Sequence, residues 1–474
     1  MNRNAGVVVI GLACALAAAP LATSTPASAA GAPFGITTTP ALSPAFSVGT
    51  TDYVVPCAGH PSTHVVTTGA GSVVGGKSFP GRADVQARLV PGQSLQITGA
   101  GHSYFVRCVP ADFPKYSATV NGTPQTNGLL VTPAASLSVP AGHYVVAFDA
   151  QGVAVWWYRD SKTPADAKFF GSSTIGWASG TEVANRGTFS LRGLDGSVKH
   201  TVGTTKMTVD SHDLQSLPGG NYLAILDVSR PRVDLSTWGR SSQSTIIDNE
   251  IVELNAANKV VWSWSVAAHI NVAAANLNWR NQFPDVIHMN SIQLLGNHEL
   301  VFSARHLDAV YAIDMRSGAI TWKLGGTPTA QSLTVAGDQY AASNPDALFS
   351  GQHDARILPD RTLTVQDNGA LPLRPVRALR FAIDPATRTA TEIAQVTDSR
   401  YGPAFCCGGV YHLSTGDWLA SWGIAEYATE LTPSGNPVLT VSYAPYFSYR
   451  VAPVVPAISA LRAGMNAMVA PLKL

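Results

Sequence analysis

Two short patterns recur along this 474-residue chain, and together they constrain its fold more tightly than any other feature. The first is a hairpin with a Gly-centred or polar turn followed by an aliphatic strand. It reads PAGHYVVAFD from Pro140, LPGGNYLAILD from Leu217, LLGNHELVFSAR from Leu294, LPDRTLTVQDN from Leu358 and LSTGDWLASWG from Leu413. The second is a strand, a polar turn and a strand that often carries Trp. Its copies begin at Phe148, Phe189, Val252, Ala312, Phe381 and Glu430, spaced by roughly 40 to 70 residues. A unit of that length buries its faces only against its neighbours, so it must be stacked or arranged in a ring. The expected architecture is therefore all-β, a six-bladed β-propeller over 140–450. An alternative is a pair of hairpin-built sandwiches. Residues 30–112, with runs such as SLQITG and YFVRCV, suit a small β-sandwich, joined to the repeats by a Pro- and Gly-containing connection over 113–139. The tail, 451–474, reads either as a strand plus a short helix or as a disordered end.

The first residues carry a different signal. Arg3 precedes an apolar stretch from Val7 to Leu21, and Ala27-Ser28-Ala29 is a cleavage pattern, so residues 1–29 read as an export signal. The expected location is secreted or extracytoplasmic. A retained anchor, or a lipoprotein made through Cys14, is a weaker reading. Export makes Cys57 and Cys108, which flank the first block, an expected disulfide. Cys406 and Cys407 are adjacent and read either as a strained vicinal bridge or as two thiols. Thirty-one basic and 30 acidic residues leave a formal charge of +1, with no stripe for nucleic acid and no tail for a membrane surface. Oligomeric state is open.

Three histidines stand just before the first strand of successive hairpins: His212 in HDLQSLPGG, His288 in HMNSIQLLG and His353 in HDARILPD. Equivalent positions on successive repeats converge on one end of a ring, so the three imidazoles are expected to meet. Asn290 lies two residues beyond His288 on the same strand face. Arg305 ends the paired strand and returns toward His288. Imidazoles, an amide and a guanidinium make an anion site suited to sulfate or phosphate oxygens. The bland reading makes the His-Asp pairs turn formers with opposed side chains; His298, His306 and His412 are read as structural. A three-histidine zinc site is disfavoured by the fixed cation at Arg305, and no metal is expected. Trp156, Trp157, Trp262, Trp264 and Trp322 read as packing residues. The Asp314–Trp322 stretch also resembles a quinoprotein repeat.

The segments SHDLQSLPGGNYL, DVIHMNSIQLL, LVFSARHLDAVYAIDMRSGAITWKLGG and FSGQHDARILPDRTLTVQDNG resemble the bacterial arylsulfotransferase family that does not use PAPS, in a broad, divergent branch of it. The first block is similar to the N-terminal β-sandwich of exported relatives. The resemblance implies ping-pong transfer of a sulfuryl group from an aryl sulfate ester to a phenol through an N-sulfohistidine, without a cofactor. It implies His353 as nucleophile, with His212, His288, Asn290 and Arg305 completing the catalytic set. His288, Asn290 and Arg305 would hold the sulfuryl oxygens, and either His212 or His288 would carry the acceptor's proton. Two other classes are weighed against this: a non-catalytic exported propeller that binds a sulfated or phenolic ligand, and a quinoprotein-like oxidoreductase.

Overall fold

The structure is a computed structural model; it describes residues 33–133, 142–181, 186–204, 206–274, 277–296, 298–342 and 344–474. The expected export segment over 1–29 lies outside the described residues.

Among the described residues the chain is all-β and propeller-like, apart from short 3-10 turns and one C-terminal helix. Its first block forms two sheets. One joins Gly35–Thr39, Thr63–Thr68 and Ala83–Ala87; the other orders Asp52–Pro56, His102–Val109, Ser94–Gly99, Ser72–Val74 and Lys77–Phe79. Alternate residues of Thr63–Thr68 are buried, the period-two signature of a strand with one covered face. The two sheets share one core that includes Ile36, Tyr53, Val65, Leu95, Ile97 and Val106. Cys57 and Cys108 are bridged within this core.

Six further sheets follow in chain order among the described residues, antiparallel except where Thr334–Ala336 adds in parallel to Thr389–Val396 at the edge of the fifth. Apart from such added edge strands, each takes consecutive strands as neighbours. The third, for example, runs Leu214–Ser216, Tyr222–Val233, Ser244–Leu254, Val260–Ser265, and the fourth Met289–Leu294, Glu299–Ala304, Ala309–Asp314, Ile320–Gly325. The polar turn of the second repeat has a specific chemistry. Asp149, Asn255 and Asp314 accept a backbone N–H two residues on, and the turns close on Gly152, Asn258 and Gly318 with φ of 72°, 56° and 72°. Only Gly or Asn adopts that left-handed conformation cheaply.

Each sheet packs on the next. Phe189 and Leu191 of the second meet Ala224 and Val252 of the third; the third and fourth share a core, as do the fourth and fifth, and the fifth and sixth. The sixth sheet returns to the first, since Leu419, Leu439 and Val441 lie in one cluster with Leu129, Phe148 and Trp156. Sheets covered on both faces explain why Glu299–Ala304 and Ala309–Asp314 are continuous apolar runs rather than alternating ones. The tryptophans staple neighbours: Trp262 and Trp264 donate to the carbonyls of Met315 and Gly318, and Trp156 to that of Leu194.

The connection differs from that expected, while the tail follows its strand-plus-helix reading. The stretch read as a connection, 113–139, contributes Ser117–Val120 to the outer edge of the sixth sheet and Gly128–Val131 to the first. The tail supplies Ala452–Pro453, which pairs with Gly128–Val131, and a helix over Ile458–Met468 that buries Leu461 and Met465. Sheet edges left open by the repeats need partners, and the segments on either side of the repeats provide them.

Candidate functional site

The three expected histidines sit where the innermost strands of the third, fourth and fifth sheets begin. His288 precedes its strand with φ of 55°, and Asp354, directly after His353, has φ of 57°. Both strands also shift register there, between Met289 and Ser291 and between His353 and Arg356. A bulge with a left-handed residue turns adjacent side chains to different sides, so the histidine and its neighbour serve different environments.

The rings do meet. The centroids of His212 and His288 are 4.6 Å apart, edge to face. The Tyr449 ring bridges the set, 5.4 Å from His212 and 6.4 Å from His353. Asp210 Oδ1 lies 2.7 Å from His212 Nδ1, and Asp285 Oδ2 lies 2.5 Å from His288 Nδ1. In each dyad the carboxylate calls for a proton on Nδ1, which turns the lone pair to Nε2. Burial alone would depress His212, but Asp210, then Asp227 and Asp285, together outweigh it and its pKa stands above the usual imidazole value. For His288 burial prevails over Asp285, and the pKa falls.

His353 is buried. Its Nδ1 lies 3.0 Å from both the Gly351 carbonyl and Asn368 Oδ1, so Nδ1 carries the proton and donates. Its Nε2 accepts from the Cys407 backbone N–H at 3.1 Å. Burial, then the charges of Arg305, His288 and His212, hold its pKa well below the ordinary value. The ring is therefore neutral at pH 7, with its lone pair on Nε2. Asn290, fully buried, donates through Nδ2 to the Gln352 carbonyl at 2.8 Å, bracing the residue before His353, while its Oδ1 has no partner among the described residues. Arg305 heads a 3-10 turn, and its backbone N–H donates to the His288 carbonyl. Its guanidinium carbon lies 4.3 Å from the Trp279 ring centroid. Its Nη1 donates to His306 Nε2 at 2.6 Å and its Nη2 to the Phe405 carbonyl. Burial lowers the Arg305 pKa to about 10, so the charge persists at neutral pH. The structure thus brings all five expected residues to one end of the ring of sheets.

The sequence profile of the arylsulfotransferase (ASST) family matches residues 119–444, more than half of the chain. The chain belongs to the arylsulfotransferase family. No curated protein matches it. Solved structures similar to this arylsulfotransferase-family chain include a protein of unknown function from Bacteroides caccae, 10% identical, covering 69% of this chain and 99% of that one, with a TM-score of 0.41. Another is an auxiliary nutrient binding protein from Bacteroides ovatus, 10% identical, covering 81% and 82%, with a TM-score of 0.36. Virginiamycin B lyase from Staphylococcus aureus is 13% identical over 67% and 86%, with a TM-score of 0.33. At such scores none of these likenesses carries an argument.

Several groups around the arylsulfotransferase-family motif were not singled out from sequence. His306, read as structural, stacks on Trp279 and donates from Nδ1 to the Asp285 carbonyl at 2.8 Å, leaving Nε2 to orient Arg305. Asp308 accepts from Trp279 Nε1 at 2.9 Å and from the Gly351 N–H at 2.8 Å, linking the supports of Arg305 and His353. The spacings D-x-H at 210–212 and D-x-x-H at 285–288 were legible; Tyr449, 96 residues beyond His353 in sequence, had no signal. Donor atoms of Asp285, His288 and His306 lie within 4.8 Å of one another, the one such trio among the described residues. A guanidinium on His306 and a proton on each Nδ1 suit this set to proton sharing better than to a cation.

The aspartates that follow the histidines face away from the site. Asp213 and Asp354 join Asp166 in a buried hub with Arg450, Arg356 and Lys168. Arg356 reaches Asp213 and Asp354 at 2.8 Å each, and Arg450 reaches Asp166 at 2.7 Å and the Asn290 carbonyl at 2.9 Å. Because Asp213 follows His212, Asp354 follows His353 and Arg450 follows Tyr449, the hub holds the backbone beneath three of the converging side chains.

Cys406 and Cys407 are joined, and their segment covers the Nε2 edge of His353. Amides of Gln366 and Asn368 grip the Cys407 carbonyl at 3.0 and 2.9 Å.

Proposed function

We propose that this chain is an exported, six-bladed β-propeller arylsulfotransferase, preceded by a small β-sandwich, which moves a sulfuryl group through His353 without PAPS. One observation carries the reading: His353 holds its proton on Nδ1 and its lone pair on Nε2, beside a fixed guanidinium and two carboxylate-backed imidazoles. Family membership supports sulfuryl transfer as the reaction class.

In the first half-reaction Nε2 attacks the sulfur of an aryl sulfate. The N–S bond forms, the S–O bond to the ring breaks, and its electron pair leaves on the phenolate oxygen. The positive charge on the sulfated ring is shared with Nδ1–H, which donates to Asn368 and Gly351. Arg305 neutralises the sulfuryl oxygens and the developing phenolate, and the unpartnered Oδ1 of Asn290 leaves room for reorganisation there. In the second half-reaction a phenol attacks sulfur as it gives up its proton, and the N–S pair returns to Nε2. His212, with the raised pKa, suits protonation of the leaving phenolate; His288, with the lowered one, suits deprotonation of the acceptor. Before either step the Cys407 N–H must leave Nε2. That cap also favours a second reading, a propeller that binds an aryl sulfate without turnover.

The deciding experiment follows 4-nitrophenol release from 4-nitrophenyl sulfate with and without added phenol. Transfer predicts phenol-dependent release, a sulfuryl mass increase on His353, and loss of both in a folded His353→Ala variant. Release unchanged by that substitution would remove the nucleophile assignment. Ligand binding without release, retained by the variant, would favour the second reading.

A further inference from the structure

A cavity of about 200 Å³ lies beside the fourth sheet, and none of the five site residues lines it. Its walls are mainly apolar: Ile270, Leu307, Ile320 and the ring of Tyr311. Its polar side is supplied by Lys323 and Thr327, with His269, Asn271, Thr329 and Gln331 also in the lining. Lys323 belongs to Ile320–Gly325, a strand whose neighbouring residues Trp322 and Leu324 are core, and it is only 3% exposed.

An ammonium buried to that degree ordinarily has a carboxylate partner. Lys323 makes no ion pair within 4 Å among the described residues; Asp346 acts on it only from a distance. Its Nζ donates to the Thr327 carbonyl and sits 5.7 Å from the Tyr311 ring centroid. One backbone acceptor satisfies one of three donors. A buried cation, an apolar wall and space for a single ring are complementary to an anion with a small apolar body. The cavity offers one ammonium, the neutral amides of Asn271 and Gln331 and no arginine fork, so it suits a carboxylate, which one cation neutralises, better than a phosphate ester, whose oxygens call for several charged donors.

We propose that this cavity binds a small apolar carboxylate of benzoate size, its carboxylate on Lys323 Nζ and its ring against Leu307, Ile320 and Tyr311. The site is separate from the sulfuryl-transfer centre, although Leu307 shares the 3-10 turn that carries Arg305. Burial lowers the Lys323 pKa only to about 8, so the amine is mostly charged at pH 7 and available to a carboxylate.

The test titrates the full chain with benzoate and with benzyl alcohol, a neutral molecule of similar size, by calorimetry and ligand-observed NMR. Benzoate should bind at millimolar concentration or below, and benzyl alcohol at least about tenfold more weakly. Lys323→Met, which keeps a long apolar side chain, should lose benzoate binding with its thermal transition retained. Equal affinity for the two probes, benzoate binding that survives Lys323→Met, or no benzoate binding to the parent protein would each overturn the proposal. Should Lys323→Met not fold, the comparison of the two probes on the parent protein decides alone.

Discussion

At the residue scale, the two carboxylate-backed imidazoles differ in proton affinity although their partners are alike. His212 is edge to face with His288, yet only His212 retains a net gain from its aspartate. A raised folded-state pKa means that His212 contributes stability in full below its unfolded value, and this is lost as pH rises through the folded pKa. If His212 is the acid, transfer should fall on the alkaline side as His212 loses its proton, and on the acid side as His288 gains one. Asp210→Asn removes the largest raising charge, so the alkaline limb should move to lower pH while the acid limb holds. A pH profile of 4-nitrophenol release measures both limbs. An alkaline limb that stays in place would assign that proton elsewhere.

At the element scale, the hub of Asp166, Asp213, Asp354, Lys168, Arg356 and Arg450 couples sheets that are far apart in sequence. Burial raises the pKa of Asp166, and Lys168 and Arg450 oppose that rise. Arg450→Met should leave Asp166 and Asp354 short of a counter-charge, at a cost of about 3–5 kcal/mol in urea unfolding. It also frees the Asn290 carbonyl and loosens the backbone under Tyr449, so turnover should fall more than KM rises. A variant with unchanged stability and turnover would show that the hub is not what holds the inner strands in register.

At the scale of the whole molecule, the ring of sheets is closed by the two segments that flank the repeats, 113–139 and 451–474. Truncation after Pro456 removes the helix and uncovers the surface under Leu461 and Met465 while sparing Ala452–Pro453; it should lower the melting temperature with the fold retained. Truncation after Arg450 also removes the strand paired with Gly128–Val131, exposing backbone donors at the axis end of the first sheet. That second truncation should give aggregated or poorly cooperative protein in scattering and thermal melts. Equal behaviour of the two truncations would mean that the short strand contributes nothing to closure.

Much of the all-β organisation was written in local chemistry: the D/N-turn-G/N punctuation, the apolar runs, the placement of His212, His288 and His353 at matching points, and D-x-H spacings that carry their own carboxylates. These depend on a few neighbouring residues and need no partner from elsewhere. What the sequence could not disclose are contacts made by groups distant along the chain. The opposed faces of His353 and Asp354 follow from a bulge set by sheet pairing. His306 gained its role because a turn packs on Trp279, Tyr449 because the last loop crosses the inner strands, and the Cys406–Cys407 segment because it lies over His353. The strands hidden in 113–139 formed for the same reason, which also decided between the two readings of 451–474: a short segment with modest propensity of its own becomes a strand only when an open sheet edge is there to pair with it.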